Sequence, residues 1–152
     1  MSGTGIFARE FDELDATVQI GVANGRVISL SFPDEPEPGA GSDHEILDWI
    51  AEYLHGTATD VGEIEIGLTV PTDQRTVLET VRKIPAGEAV SLERLVARSP
   101  GLDPDDAEDV ATARTALAEN PIPLFIPDHR VRDAPSAAPS RIETVLRNIE
   151  GR

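Results

Sequence analysis

Alternating apolar and polar residues near the start of the chain predict strands before anything else. Val18, Ile20 and Val22 alternate with Thr17, Gln19 and Gly21, the period-two pattern of a strand with one buried face. Asn24-Gly25 follows, a pair that favours a tight two-residue hairpin turn, and Ile28, Leu30 and Phe32 line one face of the returning strand. The stretch from Met1 to Asp15 has no clear period and reads as coil or a short strand. Residues 33–42, rich in proline, glycine and acid, have nothing to bury and form a loop. The period then becomes helical: Ile46, Ile50 and Leu54 make one stripe, with Trp49 and Tyr53 beside it. Ser42 or Asp43 opens this helix and His55-Gly56 ends it. At that spacing Trp49 and Tyr53 are core residues. Ile64, Ile66, Leu68 and Val70 alternate as a further strand, completing a small α+β unit over residues 1–70.

From Pro71 onward helices dominate. Thr72 or Asp73 caps a helix carrying Val77, Val81 and Ile84, which Pro85-Ala86-Gly87 terminates. Ser91 caps a short helix with Leu92, Leu95 and Val96. After a turn at 99–102, Asp103 sits where an N-cap belongs and Pro104 where a first helical residue belongs. Val110, Ala113 and Leu117 then make an apolar stripe up to Asn120. Two helices joined by a short glycine-containing turn, the second longer, form a helix-turn-helix pattern.

Composition narrows the chemistry. The 152-residue chain contains no cysteine, which removes disulfides, thiolate catalysis and thiolate zinc sites together. Its three histidines, His44, His55 and His129, are far apart, so no metal site is read, and no cofactor is expected. No apolar run reaches membrane-spanning length, and the start lacks a basic segment followed by an apolar one; a cytoplasmic monomer without membrane contact is expected. The net charge is −15, and Lys83 is the only lysine. Such a surface suits a salt-rich cytoplasm, because carboxylates hold water and repel neighbouring molecules. The charge is uneven: residues 1–70 hold 14 acidic and 2 basic side chains, net −12, against 14 and 11 over 71–152, net −3. The second half is the part that tolerates a nucleic-acid backbone.

The most distinctive stretch is Asn120-Pro-Ile-Pro-Leu-Phe-Ile-Pro-Asp-His-Arg130. Its three prolines predict an extended, donor-poor backbone, and Ile122, Leu124, Phe125 and Ile126 must be buried. The run reads as a stiff track delivering Asp128, His129 and Arg130 to one place. Asn-Pro, the proline-spaced apolar run and Pro-x-His-Arg resemble the active-site segment of the alkylguanine–DNA alkyltransferases. Ile84-Pro-Ala-Gly87, the helix begun by Gln74-x-x-Val77, and the closing Ile149-Glu150-Gly151 are similar to further family motifs. The resemblance implies a small N-terminal β-hairpin/helix/strand unit (residues 1–70) and a C-terminal winged-helix-like, helix-turn-helix domain (residues 71–152). It also implies double-stranded DNA as partner, with a repair protein as a further one. DNA-facing positions carried over from the family are Ser91, Leu92, Ala111, Arg114, Thr115, Asn120 and Arg130. The relay positions are Asp128, His129 and Glu150.

In that family glutamate orients histidine, histidine makes a thiolate through water, and the thiolate takes the alkyl group from a flipped guanine. Here the acceptor position holds Asp128. A carboxylate is a poor nucleophile toward an alkyl ether, and its charge beside His129 favours an ion pair over a relay. Leu92 replaces the family's flipping tyrosine, and Ala111 its wedge arginine. Residues 133–140 replace the glycine-rich lid, and five acids between Asp103 and Asp109 stand where phosphates would approach. These departures imply a non-catalytic, alkyltransferase-like DNA-binding protein of repair. The alternative is a retired scaffold with a protein-interaction role, in which His129, Arg130 and Glu150 are a buried ion cluster; hydrolysis by Asp128 and His129 is weaker still.

Self-repulsion within residues 1–70 eases as salt screens it. The melting temperature should therefore rise from dilute buffer to molar potassium chloride; a flat or falling trend would contradict the salt-adapted reading.

Overall fold

The computed structural model describes residues 4–57 and 60–150. Three antiparallel strands, β1 (Thr4–Phe11), β2 (Ala16–Ala23) and β3 (Arg26–Ser31), form one sheet in that order. The stretch expected to be coil or a short strand is thus, from Thr4, a full edge strand paired with β2 along its length. Asn24 and Gly25 both take positive φ, 52° and 78°, the twist that lets a two-residue turn join right-handed strands.

One expected face is corrected. The β2–β3 register shifts between Gly21 and Val22, which pair with Ser29 and Val27 and leave Ile28 as an extra residue. This bulge moves the buried set from Ile28 to Val27. Val27 and Leu30 are 0% and 4% exposed, whereas Ile28 is 45% exposed.

The strand expected over Ile64–Val70 is reduced to a single bridge between Ile66 and Val27. The alternation is real, since Ile64, Ile66, Leu68 and Val70 are all half-buried. Glu65 O accepts from Val27 N and Gly67 N donates to Val27 O. Further along β3, however, Leu30 N donates at 2.9 Å to Pro121 O of the proline-rich loop. That loop occupies the edge a longer strand would have used.

Helix α1 (Glu45–Leu54) buries Ile46, Leu47, Trp49, Ile50, Tyr53 and Leu54. Its cap is His44, whose Nδ1 accepts from Ile46 N at 3.0 Å, rather than Ser42 or Asp43. Helix α2 (Thr72–Val81) begins at Thr72 itself, after Pro71, with no side-chain cap; Asp73 instead accepts from the adjacent Gln74 N. After β4 (Val90–Ser91), Ser91 caps α3 (Leu92–Arg98) as expected. Helix α4 (Ala107–Ala118) starts three residues later than Asp103-Pro104 suggested, with Asp106 as cap. Asp103 is consumed locally: its side chain accepts from Asp105 N and its carbonyl from Asp106 N. Such a side-chain turn competes with capping. The two-residue β5 (Val131–Arg132) pairs in parallel with β4, and α5 (Ser140–Ile149) closes the described chain.

Buried side chains of the sheet, α1 and the later helices belong to one cluster. Trp49 meets Phe125 of the proline-rich loop at 5.4 Å between ring centroids. Arg82 ties the connector to the same loop through bonds to the carbonyls of Val61, Ile64 and Phe125. Among the described residues, no helix is long and apolar enough to cross a membrane.

The bulge sets a stability contrast. Val27→Ala should cost about 2 kcal/mol through lost burial and a residual cavity. Ile28→Ala should stay within about 0.5 kcal/mol. Urea unfolding of the two variants checks this; equal losses would contradict the shifted register.

Candidate functional site

The loop from Asn120 to Arg130 is buried except at the half-buried Pro121. It is not extended as the prolines suggested. Ile126 N donates back to Ile122 O at 2.9 Å, Pro123 and Ile126 form a bridge, and Leu124 sits at φ +82°. A branched side chain at positive φ costs on the order of 1–3 kcal/mol, and the apolar packing around Leu124, 1% exposed, holds it there. Asn120 staples the turn: Oδ1 accepts from Ile122 N at 2.9 Å while Nδ2 donates to Ile126 O at 3.0 Å and to Asp128 Oδ2 at 3.1 Å.

Asp128, His129 and Arg130 form one turn of 3-10 helix. Successive residues there point about 120° apart, so neighbours in sequence diverge. His129 Nε2 lies 2.8 Å from Glu150 Oε2. Arg130 grips the same carboxylate with two nitrogens, Nε to Oε1 at 3.0 Å and Nη2 to Oε2 at 2.8 Å, and donates through Nη1 to Ile84 O at 2.6 Å. Tyr53 Oη donates to Glu150 Oε2 at 2.5 Å. Gly87 of the Ile84–Gly87 turn, at φ +85°, packs so near that a Cβ there would lie 3.4 Å from Glu150 O. Glu150 follows α5 directly as its C-terminal cap; Gly151, expected in the same motif, lies outside the described residues.

Asp128 turns the other way: its hydrogen bonds go to other partners, and it feels His129 through charge. Its Oδ1 accepts from Ser136 Oγ at 2.6 Å and its Oδ2 from Ala137 N at 2.9 Å, in addition to Asn120. The segment 133–139 thus folds over Asp128, which is 1% exposed.

The two carboxylates are perturbed in opposite directions. Burial raises the Asp128 carboxyl, and its bonds from Ser136, Ala137 and Asn120 only oppose that. Burial would also raise Glu150, but hydrogen bonds from His129 and Arg130, the charge of His129, and the hydrogen bond from Tyr53 override it and hold the group well below the usual carboxylate range. Burial and the adjacent Glu150 push the Tyr53 phenol up.

The carried-over DNA-facing positions separate into two groups. Ala111, Arg114 and Thr115 are exposed together on α4, as their spacing requires. Ser91 is half-buried as the cap of α3. Leu92 is 4% exposed within the core, and its N–H donates to Asp133. Asn120 and Arg130 are 4% and 1% exposed and committed to internal bonds. Tyr53, Ser136 and Ala137 were not anticipated as site residues. A tyrosine on a buried stripe needs a partner for its hydroxyl, which was the one available signal; nothing in the sequence pointed to Ser136 or Ala137.

A helix pair beside a buried Asn-Pro loop ending in Pro-x-His-Arg, locked to a C-terminal glutamate, defines the alkyltransferase class of fold. The family model described as the DNA-binding domain of 6-O-methylguanine DNA methyltransferase matches residues 72–143. A methylated-DNA–protein-cysteine methyltransferase of Methanothermobacter thermautotrophicus is 34% identical over 88 residues, 57% of this chain; the match spans 46% of that relative's length. The O6-methylguanine methyltransferase of Mycobacterium tuberculosis superposes with a TM-score of 0.75 at 19% identity, over 96% of this chain and 93% of that one. The O6-methylguanine-DNA methyltransferase of Pyrococcus kodakaraensis gives 0.70 at 18% identity, over 97% and 100%. Mycobacterium tuberculosis OGT in complex with DNA gives 0.67 at 20% identity, over 83% and 77%. Residues 72–143 thus match that family's DNA-binding domain, within a chain that has the alkyltransferase fold and no cysteine.

The Glu150 cluster predicts a pH dependence of known sign. A carboxyl depressed in the folded state contributes stability that is full above its unfolded pKa, about 4.3, and is lost as pH falls through the folded value. Asp128 acts oppositely: its penalty is absent below about 3.9 and grows as pH rises through that value. Glu150→Gln leaves Arg130 buried without its counter-charge and should cost about 3 kcal/mol or more at pH 7. The gap to wild type should narrow below pH 4. Denaturant unfolding from pH 7 to 3 measures it; a pH-independent gap would contradict the assignment.

Proposed function

We propose that this protein is a non-catalytic, alkyltransferase-like protein of DNA repair, which binds double-stranded DNA without accepting an alkyl group. The observation that carries the second half of this reading is Asp128: it stands at the acceptor position, buried, with both oxygens bonded to Ser136, Ala137 and Asn120. The DNA-binding half is supported by the match of residues 72–143 to the family's DNA-binding domain and by the exposed Ala111, Arg114 and Thr115 of α4. In this reading residues 71–152 bind DNA and residues 1–70 brace the site through Tyr53. The acidic, lysine-poor composition supports a salt-rich cytoplasm as the setting, where affinity rests on close contacts because long-range attraction is screened.

The retired-scaffold reading draws support from the five acids between Asp103 and Asp109 and from the burial of Arg130. A titration of labelled duplex, with and without O6-methylguanine, separates the two at matched potassium chloride concentrations. Binding that weakens in Arg114→Glu is expected; no binding at any salt would favour the scaffold. Incubation with duplex carrying labelled methyl groups should leave no label on the protein. Asp128→Cys should transfer little, because Leu92 is buried, Ala111 is short and residues 133–139 cover position 128. Brisk transfer by that variant would overturn the emphasis on those residues.

A further inference from the structure

The arginines of this protein divide by what they touch. Arg9 pairs with Asp48, Arg75 with Glu79, Arg130 with Glu150 and Arg147 with Glu143. Arg82 and Arg141 are spent on backbone carbonyls. By contrast Arg26, Arg94, Arg98, Arg114 and Arg132 are exposed, and among the described residues their side chains have no hydrogen-bond or ion-pair partner; three of these, Arg94, Arg98 and Arg132, lie on or beside α3. In a chain of net charge −15 with many carboxylates at hand, three unpaired guanidinium groups in one region need a reason.

Their placement supplies one. Arg94 and Arg98 are four residues apart on α3, so both project from its exposed side, opposite the buried Leu92, Leu95 and Val96. The parallel β4–β5 pairing puts Arg132 beside Ser91, the cap of that helix. The three therefore follow α3 from its start to its end, and Arg94 and Arg98 are separated by a rise of about 6 Å. The nearest acids in sequence are Glu93 and Asp133, and one oxygen of Asp133 is already taken by Leu92 N–H. Guanidinium groups offer forked donors that match phosphate oxygens.

We propose that Arg94, Arg98 and Arg132 form a phosphate-binding surface for the backbone of duplex DNA, set along α3 rather than on the acidic start of α4. This rests on the DNA-binding reading above and identifies where the duplex is held. The surface sets position and affinity and carries no base specificity. It also accounts for how a helix pair whose second member opens with Glu108 and Asp109 can still approach DNA: the anchoring charge lies on the first member.

The test is duplex binding at several potassium chloride concentrations for wild type, Arg94→Gln/Arg98→Gln/Arg132→Gln, and the controls Arg26→Gln and Lys83→Gln. Each lost phosphate contact should reduce the slope of log K against log salt by about 0.9. The triple variant should therefore bind more weakly with a flatter salt dependence, at an unchanged melting temperature, while the controls behave as wild type. If wild type binds and the triple variant keeps its affinity and slope, or the controls lose as much, the surface is wrong and the DNA-binding reading stands. If wild type binds no duplex at any salt, both fail.

Discussion

The buried carboxylate of Glu150 is the constraint on which the rest of the structure depends. An ionised carboxylate at 1% side-chain exposure is tolerable only when fully compensated, and its compensation is drawn from the whole chain. Tyr53 comes from α1, His129 and Arg130 from the proline-rich loop, and Arg130 passes the constraint on to Ile84 through its remaining nitrogen. Four segments remote in sequence are thereby held at one point. Such a cluster is costly to break and need not be stabilising relative to an apolar core; what it supplies is a single arrangement of the loop.

Asp128 shows the converse. One residue away from His129, it is turned by the 3-10 geometry toward Asn120 and the 136–137 segment. Asp128 thereby anchors the segment laid over it. A buried carboxylate recruits donors, and here they include Ser136 Oγ and Ala137 N–H.

Charge is distributed with the same economy. Arginines that face inward neutralise carboxylates or carbonyls and hold loops to helices. Those that face outward along α3 have nothing of the protein's own to neutralise. The net acidic excess is concentrated in residues 1–70, outside the helix pair in sequence. A protein with strong overall repulsion from a polyanion can still offer it a local surface, because exposed charges farther apart than a Debye length are largely screened.

What the sequence determined by itself was set by local chemistry. The Asn24-Gly25 turn, the buried stripe of α1, the Ser91 cap and the helix pair were all legible, because turn dihedrals, helical period and capping depend on neighbours within a few residues. The proline-rich motif made the family legible for the same reason. Tertiary structure decided wherever a residue had two local options. The bulge at Ile28 moved the buried face by one residue, Pro121 took the edge of β3 that the Ile64–Val70 strand needed, and Asp103 closed a turn instead of a helix. The direction of Asp128 could not be read from its neighbours, since His129 and Ser136 were both within reach in sequence. Only the packed loop, with Asn120 on one side and residues 136–137 on the other, fixed which donors a buried carboxylate would find.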